Sequence, residues 1–368
     1  MRFIGNKENL IAKIYDFMCA CGVGCDDLRK INTKHAMQNS EKTFFDMFSG
    51  SASVGRFFKA KGFQIYSCDL LYFSYCLQMA YLCNNKEPKF LALNEILPKN
   101  KASLFLSPYQ NTLEFLNNLK CQKGFIYQNY APSGSKNLAK PRMYFSDENA
   151  QKIDAICTQI KEWKMQDKIT QDEYFILLAS LIESVSFFAN VAGVYAAFCK
   201  VWDKRALKPF VLKEISLLES EIKHFCFCGN SLDILASHKE KPFDILYLDP
   251  PYNHRQYAPN YHLIETIARY DNPQIQGVAG LRKWQEQKSN FCNPKSALKE
   301  LEKIALCKKY KNLVLSYNSE GIMHKSQIDE LLKPLGKVHF KELNYPRFKS
   351  KAGGAQKFIK EFVWIVQI

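Results

Sequence analysis

One stretch narrows the folds open to this chain of 368 residues. Phe243-Asp244-Ile245-Leu246-Tyr247-Leu248 is short and nearly all apolar, as a strand covered on both faces of a parallel sheet must be. It stops abruptly in Asp249-Pro250-Pro251-Tyr252. In open α/β sheets ligands gather beyond the carboxyl ends of the strands, which is where these four residues project. Neither proline has a backbone N–H to donate, and both have a fixed φ, so the turn is a stiff mount. The Asp249 carboxylate beside the Pro250 carbonyl offers two acceptors, enough for the two protons of an exocyclic amine. Tyr252 adds an aromatic face for a planar base.

The earlier part of the chain supplies a second strand end. Thr43 to Asp46 leads through Met47-Phe48-Ser49-Gly50-Ser51-Ala52 into a helix from about Ser53 to Lys61. Small residues there let backbone approach a ligand at a helix N-terminus. The turn lacks the G-x-G-x-x-G of dinucleotide binders. A strand from Gln64 to Cys68 ends in Asp69, where α/β nucleoside-binding folds place a carboxylate on ribose hydroxyls. Upstream, Arg2-Phe3-Ile4-Gly5-Asn6-Lys7 precedes an amphipathic helix through Met18. Gly5 and Asn6 suit a turn against a ligand, and Arg2 and Lys7 suit an anion.

Residues 84–222 break this rhythm. The stretch from Phe115 to Ser146 has no acidic residue and contains Lys120, Lys123, Lys136, Lys140 and Arg142. Phe125, Tyr127, Tyr130, Tyr144 and Phe145 are interleaved with them, a pattern suited to phosphate contact and base stacking. Helices are expected at Asn149–Lys164 and Gln171–Ala189, before a basic, aromatic segment at Lys200–Arg205. The chain therefore divides into a sheet domain, 1–83 and 223–368, and a mainly helical insert, 84–222. After the insert the α/β rhythm resumes over Phe225–Asp233 and the strand at 243–248, followed by a polar aromatic loop around His254, Arg255, Tyr257 and His262 and a long loop at 271–294. His254 and His262 are expected as surface or capping residues. Helices at Ser296–Cys307 and Lys325–Leu332 alternate with strands at Asn312–Tyr317, Val338–Leu343 and Glu361–Ile368. Between the last two lies a Gly-rich basic loop with Arg347, Lys349 and Lys351, suited to clamping phosphate.

Composition supports a polyanionic partner: net charge is +15 with pI ≈ 9.1, which favours nucleic acid. No apolar run reaches membrane-spanning length, and the start lacks the apolar core of a secretory signal. Thirteen cysteines without disulfide-framework spacing imply reduced thiols and a cytoplasmic setting. Cys19, Cys21, Cys25, Cys226 and Cys228 miss the C-x2-C spacing of zinc sites, so no metal is expected.

Three elements in this order resemble Dam-type, α-class adenine-N6 DNA methyltransferases of restriction-modification systems: the N-terminal Phe-x-Gly-x-Lys, the Phe48-x-Gly50 turn, and Asp-Pro-Pro-Tyr after a long insert. Ala52 stands where that family often has a second glycine. The resemblance implies a Rossmann-like fold with a mixed seven-stranded sheet and S-adenosyl-L-methionine as cofactor. It implies that the insert recognises the DNA target. It places Phe3, Gly5, Lys7, Asp46, Phe48, Gly50, Asp69, Asn230 and Asp249 against the cofactor, although related enzymes carry an aspartate at position 230, which leaves Asn230 and Asp233 both open for the adenine contact. Asp249, Pro250, Pro251 and Tyr252 would act on an adenine flipped from duplex DNA. Lys136, Lys140, Arg142, Arg255, Tyr257, Arg347, Lys349 and Lys351 would contact DNA. A cognate restriction endonuclease is the implied partner, and the chain is expected to be a monomer. Two other readings share these residues: an rRNA base amino-methyltransferase, and a non-catalytic DNA-binding component of the same fold.

Overall fold

The structure is a computed structural model that describes residues 5–25, 42–97, 105–346 and 358–368. Phe3, Arg347, Lys349 and Lys351 lie outside the described residues. The chain forms two compact units: a sheet unit of Gly5–Leu70, Ser220–Gln256 and Lys288–Ile368, and a helical unit that includes Leu71–Glu219 and Tyr257–Gln287. The helical unit thus takes in residues 71–83 and 257–287, which the sequence reading had given to the sheet domain.

The strands are β1 (Thr43–Asp46), β2 (Gln64–Asp69), β3 (Phe225–Cys228), β4 (Phe243–Leu248), β5 (Ile275–Gln276), β6 (Leu281–Arg282), β7 (Tyr310–Asn318), β8 (Lys337–Pro346) and β9 (Phe358–Gln367). Seven of them form one sheet in the order β3-β2-β1-β4-β7-β9-β8. The pairs from β3 through to β7 are all parallel. β9 runs antiparallel to both β7 and β8. This is the mixed, seven-stranded Rossmann-like sheet that the resemblance implied. The chain builds outward from β1 to β3, then returns to the other side of β1 as β4. The reversal leaves a crevice beyond the carboxyl ends of β1 and β4, where such sheets bind ligands.

Period-two alternation explains how the sheet is covered on both faces. On one face Phe44 of β1 stacks on Phe58 of the helix Ser53–Ala60, with ring centroids 3.8 Å apart. On the other, Phe45, Leu246, Leu313 and Trp364 join Leu301 and Ile304 of the helix Ala297–Leu306 and Ile328 of the helix Lys325–Leu332. Each of these helices presents its apolar stripe to the sheet.

In the helical unit, Asp147–Met165 and Gln171–Phe188 are the long helices. Ser146 caps the first, and Thr170 with Glu173 forms a capping box on the second. The following irregular segment is held by side-chain amides. Asn149 donates to the carbonyls of Ala206 and Lys208, and Asn117 both donates to and accepts from Leu212. Residues 271–294, expected as loop, contain the β5–β6 hairpin and two short 3-10 turns. The Cys19 and Cys25 sulfurs are placed in contact, with Cα atoms 5.2 Å apart, and the other cysteines are free.

Candidate active site

Two strand ends build the site. At the end of β1, Asp46 is buried and its Oδ1 accepts from the Phe48 N–H at 3.4 Å. Its Oδ2 is buried too and makes no hydrogen bond of good geometry among the described residues, while the backbone N–H groups of Phe48 and Gly55 partly hold the carboxyl down. Burial, with Asp249 nearby, pushes the Asp46 carboxyl up to about 8. The turn that follows is sharp: Gly50 has φ 54° and Ala52 φ 60°. Ala52, at the position where the resembling family often carries glycine, therefore holds the left-handed geometry a glycine would adopt more easily. At the end of β2, Asp69 Oδ2 accepts from the Gly50 N–H at 2.8 Å and fixes the turn.

At the end of β4 sits the second half. Asp46 pairs in register with Tyr247, so Asp249 lies one pleat further along the neighbouring strand. Lys7 Nζ bridges Asp249 Oδ1 at 3.1 Å and Glu361 Oε1 at 2.9 Å. Lys7 and Glu361 are 5% and 2% exposed at the side chain, Asp249 18%, so the acid is the member of the trio open to a ligand. Burial opposes the charge on Lys7, but Asp249 and Glu361 more than offset it and hold the ammonium well above the usual lysine range. Burial pushes the Asp249 carboxyl up; Lys7 opposes the rise and Glu361 adds to it. Pro250 is buried and Pro251 half-buried. Tyr252 is half-buried, packs against the sheet core, and its carbonyl accepts from Ile322 N–H at 2.9 Å.

Among the described residues the crevice carries more carboxylates than cations: Asp46, Asp69, Asp249 and Glu361 against Lys7. That balance suits a ligand bearing positive charge, and Asp69 beside a backbone-lined turn suits a diol. Asn230 is exposed and its Oδ1 accepts from the Leu232 N–H at 3.0 Å, capping the helix Ser231–Ser237. Asp233 is exposed in the first turn of that helix.

Several expectations meet a different placement. Arg142, expected on phosphate, is 6% exposed, and its guanidinium donates to the carbonyls of Asn129, Gly277 and Val278. It anchors the β5–β6 hairpin instead. Tyr130, Tyr144 and Phe145 are fully buried and serve as core, since aromatic rings gain more from burial than from solvent. His262 is neither surface nor cap: it is fully buried beside the Tyr195 carbonyl, and burial lowers it to about 4. Lys136, Lys140 and Arg255 are exposed, as are His254 and Lys123, and Tyr257 is half-buried. Glu361 was missed. Its signal was a lone carboxylate opening an otherwise apolar strand.

A mixed sheet reversing between β1 and β4, an acid-braced small-residue turn after β1 and an Asp-Pro-Pro-Tyr ledge after β4 define the Rossmann-like methyltransferase class. Within it, the chain belongs to the D12 class N6 adenine-specific DNA methyltransferase family, whose model matches residues 25–331. It is similar to the modification methylase StsI of Streptococcus sanguinis, at 32% identity over 373 residues, covering 100% of this chain and 52% of that protein. It is also similar to the Type II methyltransferase M.FokI of Planomicrobium okeanokoites, at 34% identity over 374 residues with 100% and 52% covered. With the Type II methyltransferase M.NlaIII of Neisseria lactamica it shares 37% identity over 312 residues, with 84% and 85% covered. The chain spans about half the length of the first two relatives.

Proposed function

We propose that this protein transfers a methyl group from S-adenosyl-L-methionine to the N6 amine of an adenine flipped out of duplex DNA. The observation that carries the reading is the Asp249 carboxylate on its proline mount, next to the acid-braced turn after β1. Family membership and the names of the relatives, modification methylases and Type II methyltransferases, favour the modification half of a restriction-modification system. A cognate endonuclease as partner, a monomeric state and a cytoplasmic setting follow from that reading.

Adenine N6 is a weak nucleophile because its lone pair is delocalised into the ring. Asp249 and the Pro250 carbonyl accept its two protons and favour a pyramidal nitrogen whose lone pair points away from the ledge. The cofactor supplies an electrophilic methyl on a sulfonium centre. When the cofactor is bound, Asp69 would take the ribose hydroxyls, and Asp46, whose buried Oδ2 makes no hydrogen bond among the described residues, would accept from its ammonium once ionised. As N6 becomes positive, the Asp249 carboxylate stabilises it and is placed to take the released proton. The ledge holds the amine at near-attack distance, about 3–3.5 Å. Tyr252 stacks on the extruded base. Exposed Lys136, Lys140 and Arg255 suit the phosphate backbone, whose contacts position without reading sequence. The basic loop bearing Arg347, Lys349 and Lys351 suits the same task.

The test is direct. Purified protein, labelled donor and duplex DNA are incubated, and the DNA is digested to nucleosides. Label in N6-methyladenosine of the deoxy series is the expected result. Label in another base, or in RNA in preference to DNA, would overturn it.

A further inference from the structure

Lys7 is held by two carboxylates where one would neutralise it. Desolvating a charge is costly, and a buried ion pair seldom adds stability on balance. A third buried charge with no cation to match it is costlier still. Glu361 is that third charge. Its Oε1 also accepts from Ser316 Oγ at 2.6 Å, so its position is fixed by β7 and not by Lys7 alone. The strand directions explain why it is at the site: β9 runs antiparallel to β7, with Asn318 paired to Glu361. The first residues of the last strand thereby meet the carboxyl ends of the parallel strands.

We infer that Glu361 is a positioning residue for Asp249, acting through Lys7; the inference rests on the methyl-transfer reading above. Glu361 divides the ammonium between two acceptors. Lys7 engages Asp249 at Oδ1, and among the described residues nothing engages Oδ2. The carboxylate is thus held in one rotamer with an oxygen left for the amine. The trio keeps a net negative charge, which faces the nitrogen as it turns positive. With Glu361 neutral, Lys7 would cancel Asp249 and compete with the substrate for its oxygens. The titratable groups around Asp249 are Lys7 from the N-terminal turn, Glu361 from β9, Asp46 from β1, and Tyr247 and Tyr252 from its own strand and turn.

Glu361→Gln preserves shape and removes charge. With donor saturating, we expect kcat for DNA methylation to fall roughly 10- to 100-fold with KM for DNA nearly unchanged. The acid limb of the kcat–pH profile should move to lower pH, because Glu361 raises the Asp249 carboxyl. Glu361→Asp, which keeps the charge, should recover part of the rate and leave the limb in place. A purely structural role would lower the melting temperature without moving the limb. Wild-type kcat in E361Q, or a slow variant with an unmoved limb, would overturn the inference. Lys7→Gln with Glu361→Gln removes both charges together and keeps the test open if E361Q alone does not fold. Relative to Lys7→Gln, the double variant should show no further loss, and an additive loss would equally overturn the mechanism. An inactive wild-type protein would instead count against the methyl-transfer reading.

Discussion

Two regions of this molecule are rich in charged and aromatic side chains, and they use them in opposite ways. At the ends of β1, β2 and β4, the sheet unit collects carboxylates around Lys7 at a crevice made by strand order. In the helical unit, residues 115–146 carry basic and aromatic groups with no acidic residue. Yet Tyr130, Tyr144 and Phe145 turn inward and Arg142 binds backbone carbonyls. A strand end fixes where its next residue points, so side-chain chemistry there translates into a site. In a loop-and-helix segment the same residue types go to core or to solvent according to distant partners.

The largest effect is expected at Asp249. Asp249→Ala should lower methyl transfer by about 10³-fold or more, since an acceptor acting on the reacting atom is lost. The melting temperature should hold or rise, because a partly buried acid leaves the trio. Incorporation of labelled methyl into DNA, set beside a thermal melt, checks both halves. Retained turnover would remove Asp249 from the chemistry.

Arg142 tests the other region. Arg142→Ala strands three carbonyls of the hairpin anchor and should destabilise the protein by about 3 kcal/mol, read from the denaturant midpoint. Lys136→Ala with Lys140→Ala, both exposed, should leave that midpoint alone and reduce the slope of log affinity for DNA against log salt by roughly 2. If Arg142→Ala shifts the salt slope and spares stability, Arg142 belongs to the surface and not to the core. Such a result would return Arg142 to the phosphate set.

What could be read in the sequence follows the same divide. The strand at 243–248, the small-residue turn after β1 and Asp69 at the end of β2 were legible because each depends on short-range pattern, whereas the seven-stranded mixed sheet was implied by the family resemblance and its strand order comes from the structure. Ala52 was legible as a departure, and its φ shows what the departure requires of the backbone. Arg142 was not legible, because its partner Gly277 is 135 residues away along the chain. His262 looked like a loop residue and is core, since the helix His262–Arg269 turns its first residue inward. Glu361 escaped because its importance depends on a strand direction that apolar patterning does not encode. Residues 257–287 joined the helical unit for a related reason: Glu265 accepts from the backbone N–H groups of Tyr72 and Phe73, a pairing no local rule anticipates.

The smallest effect concerns a carboxylate that the sheet unit holds at a cost to stability. Asp46 is raised from 3.8 to about 8 in the folded chain. A group whose pKa rises on folding supports the fold most below its unfolded value, and that support is lost as pH climbs through the folded value. Asp46 therefore works against stability increasingly from about pH 4 to about pH 8. Asp46→Asn removes this burden and should raise the melting temperature by roughly 2–4 °C at pH 8, with little change near pH 4. Donor binding should weaken in the same variant, because the amide cannot match a cationic ammonium. In the wild type, donor affinity should increase with pH up to about 8, as the acid ionises to meet the ligand. Melting curves at the two pH values and calorimetric titration with the donor separate these effects. A variant that is no more stable at pH 8 than at pH 4, yet binds donor normally, would show that Asp46 is neither strained by burial nor part of the cofactor site.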